Sequence, residues 1–205
     1  GNVGITNHEG ADLLAASLYG DAIGIYGYSA IGDVSIDNAA DIFVYSPYYL
    51  ADGIFASGAN VDVTNSGAID AYGYSWAAGI EAQSTGVTDV DNSGDIYAVV
   101  NDVGTAFGIY ATGADVTVSN SGNIEAQGYI ATGIEAQSYG DVSVENSGDI
   151  IGGSLTAVYD YYTGYTTLYG SLVGTGINAT SNGEGAAVSV TNGGDISSEG
   201  YYGAT

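Results

Sequence analysis

One segment, VTVSNSGNIEAQGYIATGIEAQSYGD at 116–141, returns with small variations along the whole 205-residue chain. Its anchoring asparagine falls at Asn7, Asn38, Asn65, Asn92, Asn120, Asn146 and Asn192, at intervals of 31, 27, 27, 28, 26 and 46 residues. A period of this length marks a repeat array, in which one unit cannot bury its own apolar face and must stack on its neighbours. The longest interval reads as one repeat carrying an insertion at about residues 153–173, so that 1–205 forms a single domain.

Within each repeat, apolar and polar residues alternate over short runs, as they do in half-buried strands. Two residues before the asparagine stand Ile5, Ile36, Val63, Val90, Val118, Val144 and Val190. Four residues after it stand Ile42, Ile69, Ile96, Ile124, Ile150 and Ile196; the first repeat departs from this rule, with Ala11. A third run opens on Gly-Ile, giving Ile25, Ile54, Ile80, Ile109, Ile134 and Ile177, followed two residues on by Gly27, Ala56, Ala82, Ala111, Ala136 and Ala179. Three short strands per repeat, stacked so that like sits above like, predict an all-β parallel β-solenoid. The pattern gives about seven coils of roughly 27 residues. At about 4.8 Å per coil the stack is very roughly 35 Å long. Right-handed winding is the expectation, because parallel β crossovers are nearly always right-handed.

Charge then removes whole classes of function. The chain has no Lys or Arg against 24 Asp+Glu, a formal charge of −24. Nucleic-acid binding rests on basic side chains at phosphates, and adhesion to anionic lipid needs the same residues. Neither is expected, nor is membrane insertion, since no apolar run approaches membrane-spanning length. Without Cys there are no disulfides, thiolate metal sites or thiol nucleophiles. The chain opens at Gly1 with no basic or apolar leader, so any export signal has been removed or the chain is part of something longer.

The recurring N-S-G-x-I, G-I-x-A and V-x-V-x-N motifs resemble the passenger β-helices of bacterial autotransporters and related haemagglutinin-type adhesins. The likeness covers essentially the whole chain. It implies exposure at the surface of a Gram-negative bacterium, and such β-helices carry adhesins, fibres and enzymes alike. The chain departs from that pattern in having no Lys or Arg and no translocating barrel domain.

Four groups of residues are functional candidates. The column Asn38, Asn65, Asn92, Asn120, Asn146 and Asn192 reads as structural: asparagine tolerates left-handed backbone at a corner, and its amide can bond the coils on either side. The one N-x-S/T glycosylation triplet, Asn178-Ala179-Thr180, lies outside that column. Two outward carboxylate columns, Asp37, Asp91 and Glu145 in one and Glu81 and Glu135 in the other, are either a solvated face or a loose Ca²⁺ site; no calcium-loop motif accompanies them. No other cofactor is called for. Tyr159, Tyr161, Tyr162, Tyr165 and Tyr169 of the insertion, with Tyr201 and Tyr202, offer rigid amphipathic contact area or a cover for the solenoid. Catalysis is not expected. An arginine base of the pectate-lyase kind cannot exist here, His8 is the only histidine, and the carboxylates sit in repeating rather than unique positions.

The expectation is therefore a non-enzymatic extracellular protein that stacks head to tail with itself into a surface fibre. The alternative is a passenger fragment of an autotransporter adhesin that binds glycans or host surfaces as a monomer.

Overall fold

The computed structural model describes residues 1–100, 104–153, 155–159, 166–170, 173–200 and 203–204. It is an all-β parallel solenoid, with no helix among the described residues. Among the described residues no helix is long and apolar enough to cross a membrane. The chain passes repeatedly through a strand of each of three parallel sheets, each sheet holding seven strands in sequence order.

The first sheet ends each of its strands on the repeating asparagine: Val3–Asn7, Val34–Asn38, Val61–Asn65, Val87–Asn92, Asp115–Asn120, Val142–Asn146 and Val188–Asn192. Its register sets Ile5, Ile36, Val63, Val90, Val118, Val144 and Val190 in one column. In interior strands such as Val61–Asn65 every second side chain is buried and the others face solvent. Period-two alternation in the sequence is thus the alternation of faces on the strand.

The second sheet runs from Leu13–Ala16 through Ile42–Tyr45, Ile69–Gly73, Ile96–Val100, Ile124–Gln127 and Ile150–Gly152 to Ile196–Ser197. Its leading isoleucines are stacked and, in the interior strands, almost fully buried. The first coil corrects one expectation: Leu13, not Ala11, aligns with Ile42. Two extra residues precede it, and Gly10 takes up the excursion at a φ of 78°, in the left-handed region.

The third sheet comprises Ala22–Tyr28, Leu50–Gly58, Trp76–Ser84, Thr105–Gly113, Ile130–Ser138, Val173–Ser181 and Gly203–Ala204. Here the glycine of each Gly-Ile pair lies inside the strand, not at the corner where the strand begins. A Cβ added at Gly24, Gly53, Gly79, Gly108, Gly133 or Gly176 would come within 2.2–2.4 Å of the Cγ2 of a second-sheet isoleucine. Only glycine lets the two walls close to this distance. Glycine and isoleucine therefore both face inward, and the outward positions flanking them, such as Asp52 and Phe55, are three residues apart instead of two.

The insertion contributes an antiparallel pair, Leu155–Tyr159 with Thr166–Gly170, separate from the three sheets.

Candidate functional site

The asparagine column is a continuous hydrogen-bonded ladder. Each Nδ2 donates to the Oδ1 of the next asparagine: Asn7 to Asn38 at 2.8 Å, then Asn38, Asn65, Asn92, Asn120 and Asn146 each to its successor at 2.7 Å. The second N–H of each amide from Asn38 on donates to the carbonyl two residues ahead, at 2.6–2.8 Å. The backbone does not turn left-handed there, contrary to the sequence expectation: among the described residues no non-glycine has a positive φ. The coil-to-coil backbone ladder carries on past the asparagine, as in Ser93 N–H to the Asn65 carbonyl at 2.8 Å. The side chain is selected by its inward amide, which satisfies a corner carbonyl and bridges coils in a dry interior. Interior members such as Asn92 are fully buried. The ladder has a direction: seen from the first coil, each amide offers its donor to the following coil and its acceptor to the preceding one.

Many of the acidic side chains have a structural task that the sequence reading missed. At the corner entering the second sheet, Asp41 Oδ1 accepts the Ala68 N–H at 2.9 Å, Asp95 that of Asn123 at 2.8 Å, and Asp149 that of Asp195 at 2.9 Å. At the corner entering the first sheet, Asp115 accepts from Asp141 and Asp141 from Ala187, each at 2.8 Å. Each such oxygen ties a backbone N–H of the next coil, a charge-assisted bond stronger than a neutral one. The signal was present in the sequence: Asp41, Asp95, Asn123, Asp149 and Asp195 each immediately precede the repeating isoleucine.

The five calcium candidates are placed as follows. Asp37, Asp91 and Glu145 are exposed in one column, alternating with Thr64 and Ser119. Glu81 and Glu135 flank Tyr110 in the third sheet. Members of a column therefore stand two coils apart, about 9.6 Å at the usual strand spacing, too far to share one Ca²⁺ through direct carboxylate ligation. Among the described residues no three His, Asp or Glu side chains form a group able to hold a metal ion.

Glu81 and Glu135 are not solvated, a departure from the reading of a wet outer face. They are only 7% and 6% exposed. Trp76, Phe107 and Tyr110 pack against one another beside Glu81, with ring centroids 4.9–5.7 Å apart. Gln83 donates to Glu81, and Glu135 accepts from Gln137 at 2.6 Å and from Asn178 at 2.9 and 3.0 Å. Asn178, of the glycosylation triplet, is thus engaged in the third sheet. Asp52 lies in the adjoining coil, 1% exposed, accepting the Trp76 indole N–H at 3.1 Å. Burial pushes its carboxyl up to about 8; the nearby Glu81 adds to the rise and the indole N–H opposes it. Burial also raises Glu81, against the pull of Gln83 and Trp76.

Tyr159 and Tyr169 fall on the strands of the antiparallel pair. Tyr161, Tyr162, Tyr165, Tyr201 and Tyr202 lie outside the described residues. The exposed aromatics that are described lie mostly in the early coils, Tyr19, Tyr26, Tyr28, Phe43, Tyr45, Tyr48 and Tyr49, with Tyr74, Tyr129 and Tyr139 further along the chain. Tyr26 stacks on Phe55 with centroids 5.2 Å apart and planes 7° from parallel. His8 is exposed in the first coil.

No family model, curated protein or solved structure matches this chain.

Proposed function

We propose that this chain is a non-enzymatic structural protein of the cell exterior, a subunit that stacks head to tail with its own copies into a surface fibre. On this reading it winds right-handed in about seven coils of roughly 27 residues. The observation that carries it is the one-way asparagine ladder. A stack whose donors all face the following coil and whose acceptors all face the preceding one fits another copy head to tail, and mismatches it head to head. A contact between two different surfaces that does not close on itself yields an open filament. The resemblance to autotransporter passengers favours the surface of a Gram-negative bacterium.

The early-coil aromatics favour a second reading, a passenger segment that presents those rings to glycans or host surfaces as a monomer. Association separates the two. With a formal charge of −24 and no cation, copies repel at low ionic strength. Light scattering should rise with added salt, with Ca²⁺ bridging carboxylates, or as pH falls toward the carboxylate range. An assembly that weakens on adding salt, or a chain that stays monomeric under all three, contradicts the fibre.

A further inference from the structure

The chain contains two Asn-Gly dipeptides, Asn182-Gly183 and Asn192-Gly193. We infer that Asn182 is a site of spontaneous deamidation to aspartate and isoaspartate, and that the fold holds Asn192 against the same reaction. The inference stands apart from the fibre reading.

In this chemistry the deprotonated backbone nitrogen of the following residue attacks the asparagine Cγ. The Cγ–Nδ2 bond breaks, ammonia leaves, and a cyclic succinimide forms. Water then opens the ring at either carbonyl, giving aspartate or the backbone-lengthened isoaspartate. Glycine favours attack because no Cβ hinders its nitrogen. What remains is whether the amide and the nitrogen are free to meet.

At Asn182 they are. The residue is exposed, just past Val173–Ser181, and its side chain makes no hydrogen bond among the described residues. The Gly183 N–H has only a long contact, 3.4 Å, to Ser181 Oγ. At Asn192 all three reacting groups are tied. Its Oδ1 accepts from Asn146 Nδ2 at 2.7 Å, its Nδ2 donates to the Gly194 carbonyl at 2.6 Å, and the Gly193 N–H donates to the Asn146 carbonyl at 2.7 Å. Attack there requires breaking the end of the ladder first.

The product has structural consequences. Asn182 borders a groove lined by Ser84, Thr112, Gln137 and Tyr139 and by no acidic side chain, so conversion places a carboxylate in a neutral recess. Isoaspartate also adds a methylene to a corner that the Asn182 N–H fixes to the Ser138 carbonyl at 3.0 Å. That corner leads into Val188–Asn192, so the last repeat should loosen as the molecule ages.

The test is incubation of the whole chain at mildly alkaline pH in ¹⁸O-water, followed by peptide mapping. Trypsin has no site in a chain without Lys or Arg, so cleavage relies on a Glu-specific protease and chymotrypsin. The expected result is ¹⁸O-labelled aspartate and isoaspartate at residue 182, forming about tenfold or more faster than at residue 192, the factor that corresponds to roughly 1.4 kcal/mol of barrier. Unfolding the chain in denaturant should bring the two rates together. Asn182→Gln, which removes the reacting amide geometry and no hydrogen bond, should abolish the label at 182 and leave the melting temperature unchanged. Equal rates in the folded chain, or label at 192 ahead of 182, overturns the inference, as does a chain that stays unmodified at 182 while its unfolded form reacts.

Discussion

The strands Asp115–Asn120 and Val188–Asn192 share the V-x-V-x-N motif and the same columns, yet they live in different surroundings. Val118 has no exposed surface; Val190, two strands further along its column, is 47% exposed. Local sequence is the same, so burial belongs to the stack and not to the strand. A coil acquires an interior only when another coil covers it, which is the nearest-neighbour logic of repeat proteins. The interior coil is therefore sensitive where the edge coil is tolerant, and substitutions at equivalent positions measure the difference.

The largest contrast is expected for charge in the valine column. Val118→Asp should cost about 4 kcal/mol, because it places an unpaired carboxylate in a dry core. Val190→Asp should cost less than about 1 kcal/mol in the monomer. Denaturant melts of the two proteins read the gap directly, and equal losses would break the comparison.

Next comes pH, acting through Asp52, whose outward carboxyl is buried beside Trp76. Its pKa is raised from 3.8 to about 8 in the folded chain, so between those values the folded state holds more protons than the unfolded one. Stability then falls as pH rises through that window, by up to about 1.4 kcal/mol per unit. Glu81 titrates in the same sense. Thermal melts should rise from pH 8 to pH 5, the reverse of ordinary acid denaturation. Asp52→Asn, which keeps an oxygen for the Trp76 indole, should flatten that slope and stabilise the chain at neutral pH.

The ladder follows. Asn92→Ala strands a donor on Asn65, the acceptor on Asn120 and the Gly94 carbonyl, all buried, at a cost of about 3 kcal/mol. Asn192→Ala strands fewer groups, in a wetter place, and should cost about 1 kcal/mol. Glycine gives a smaller contrast. In Gly108→Ala the new Cβ meets Ile124 Cγ2 at 2.2 Å, and forcing the walls apart should cost about 2 kcal/mol. Gly193→Ala meets nothing nearer than 3.7 Å and should stay within about 0.5 kcal/mol of the parent. Least of all, Thr117→Asp on the outward side of the interior strand should cost about 0.5 kcal/mol.

What could be read from the sequence was whatever repeats as a side-chain type. The Val, Ile and Ala columns came from alternation and period, and the structure stacks those same residues in register. What escaped were geometries that the same letters can serve in several ways. Gly79 looks like a corner residue on paper, because glycine usually marks a turn; only the 2.2 Å approach to Ile96 shows that it makes room for a neighbouring wall. Asparagine suggested left-handed backbone, whereas its work is done by an inward amide with ordinary φ. Glu81 and Glu135 looked wet from their outward phase. Their shielding draws on the neighbouring coils, Tyr110 between the two and Asn178 on Glu135, with Trp76 earlier in Glu81's own strand; alternation within one strand does not reveal neighbours on other coils.

The most direct test of the head-to-tail account is electron cryo-microscopy of the concentrated chain in salt, combined with diffraction from aligned material. The account predicts filaments one solenoid wide, with the strand spacing of about 4.8 Å running along the filament axis and all subunits pointing the same way. Filaments with that spacing across the axis, subunits alternating in direction, or only isolated particles at high concentration would contradict it.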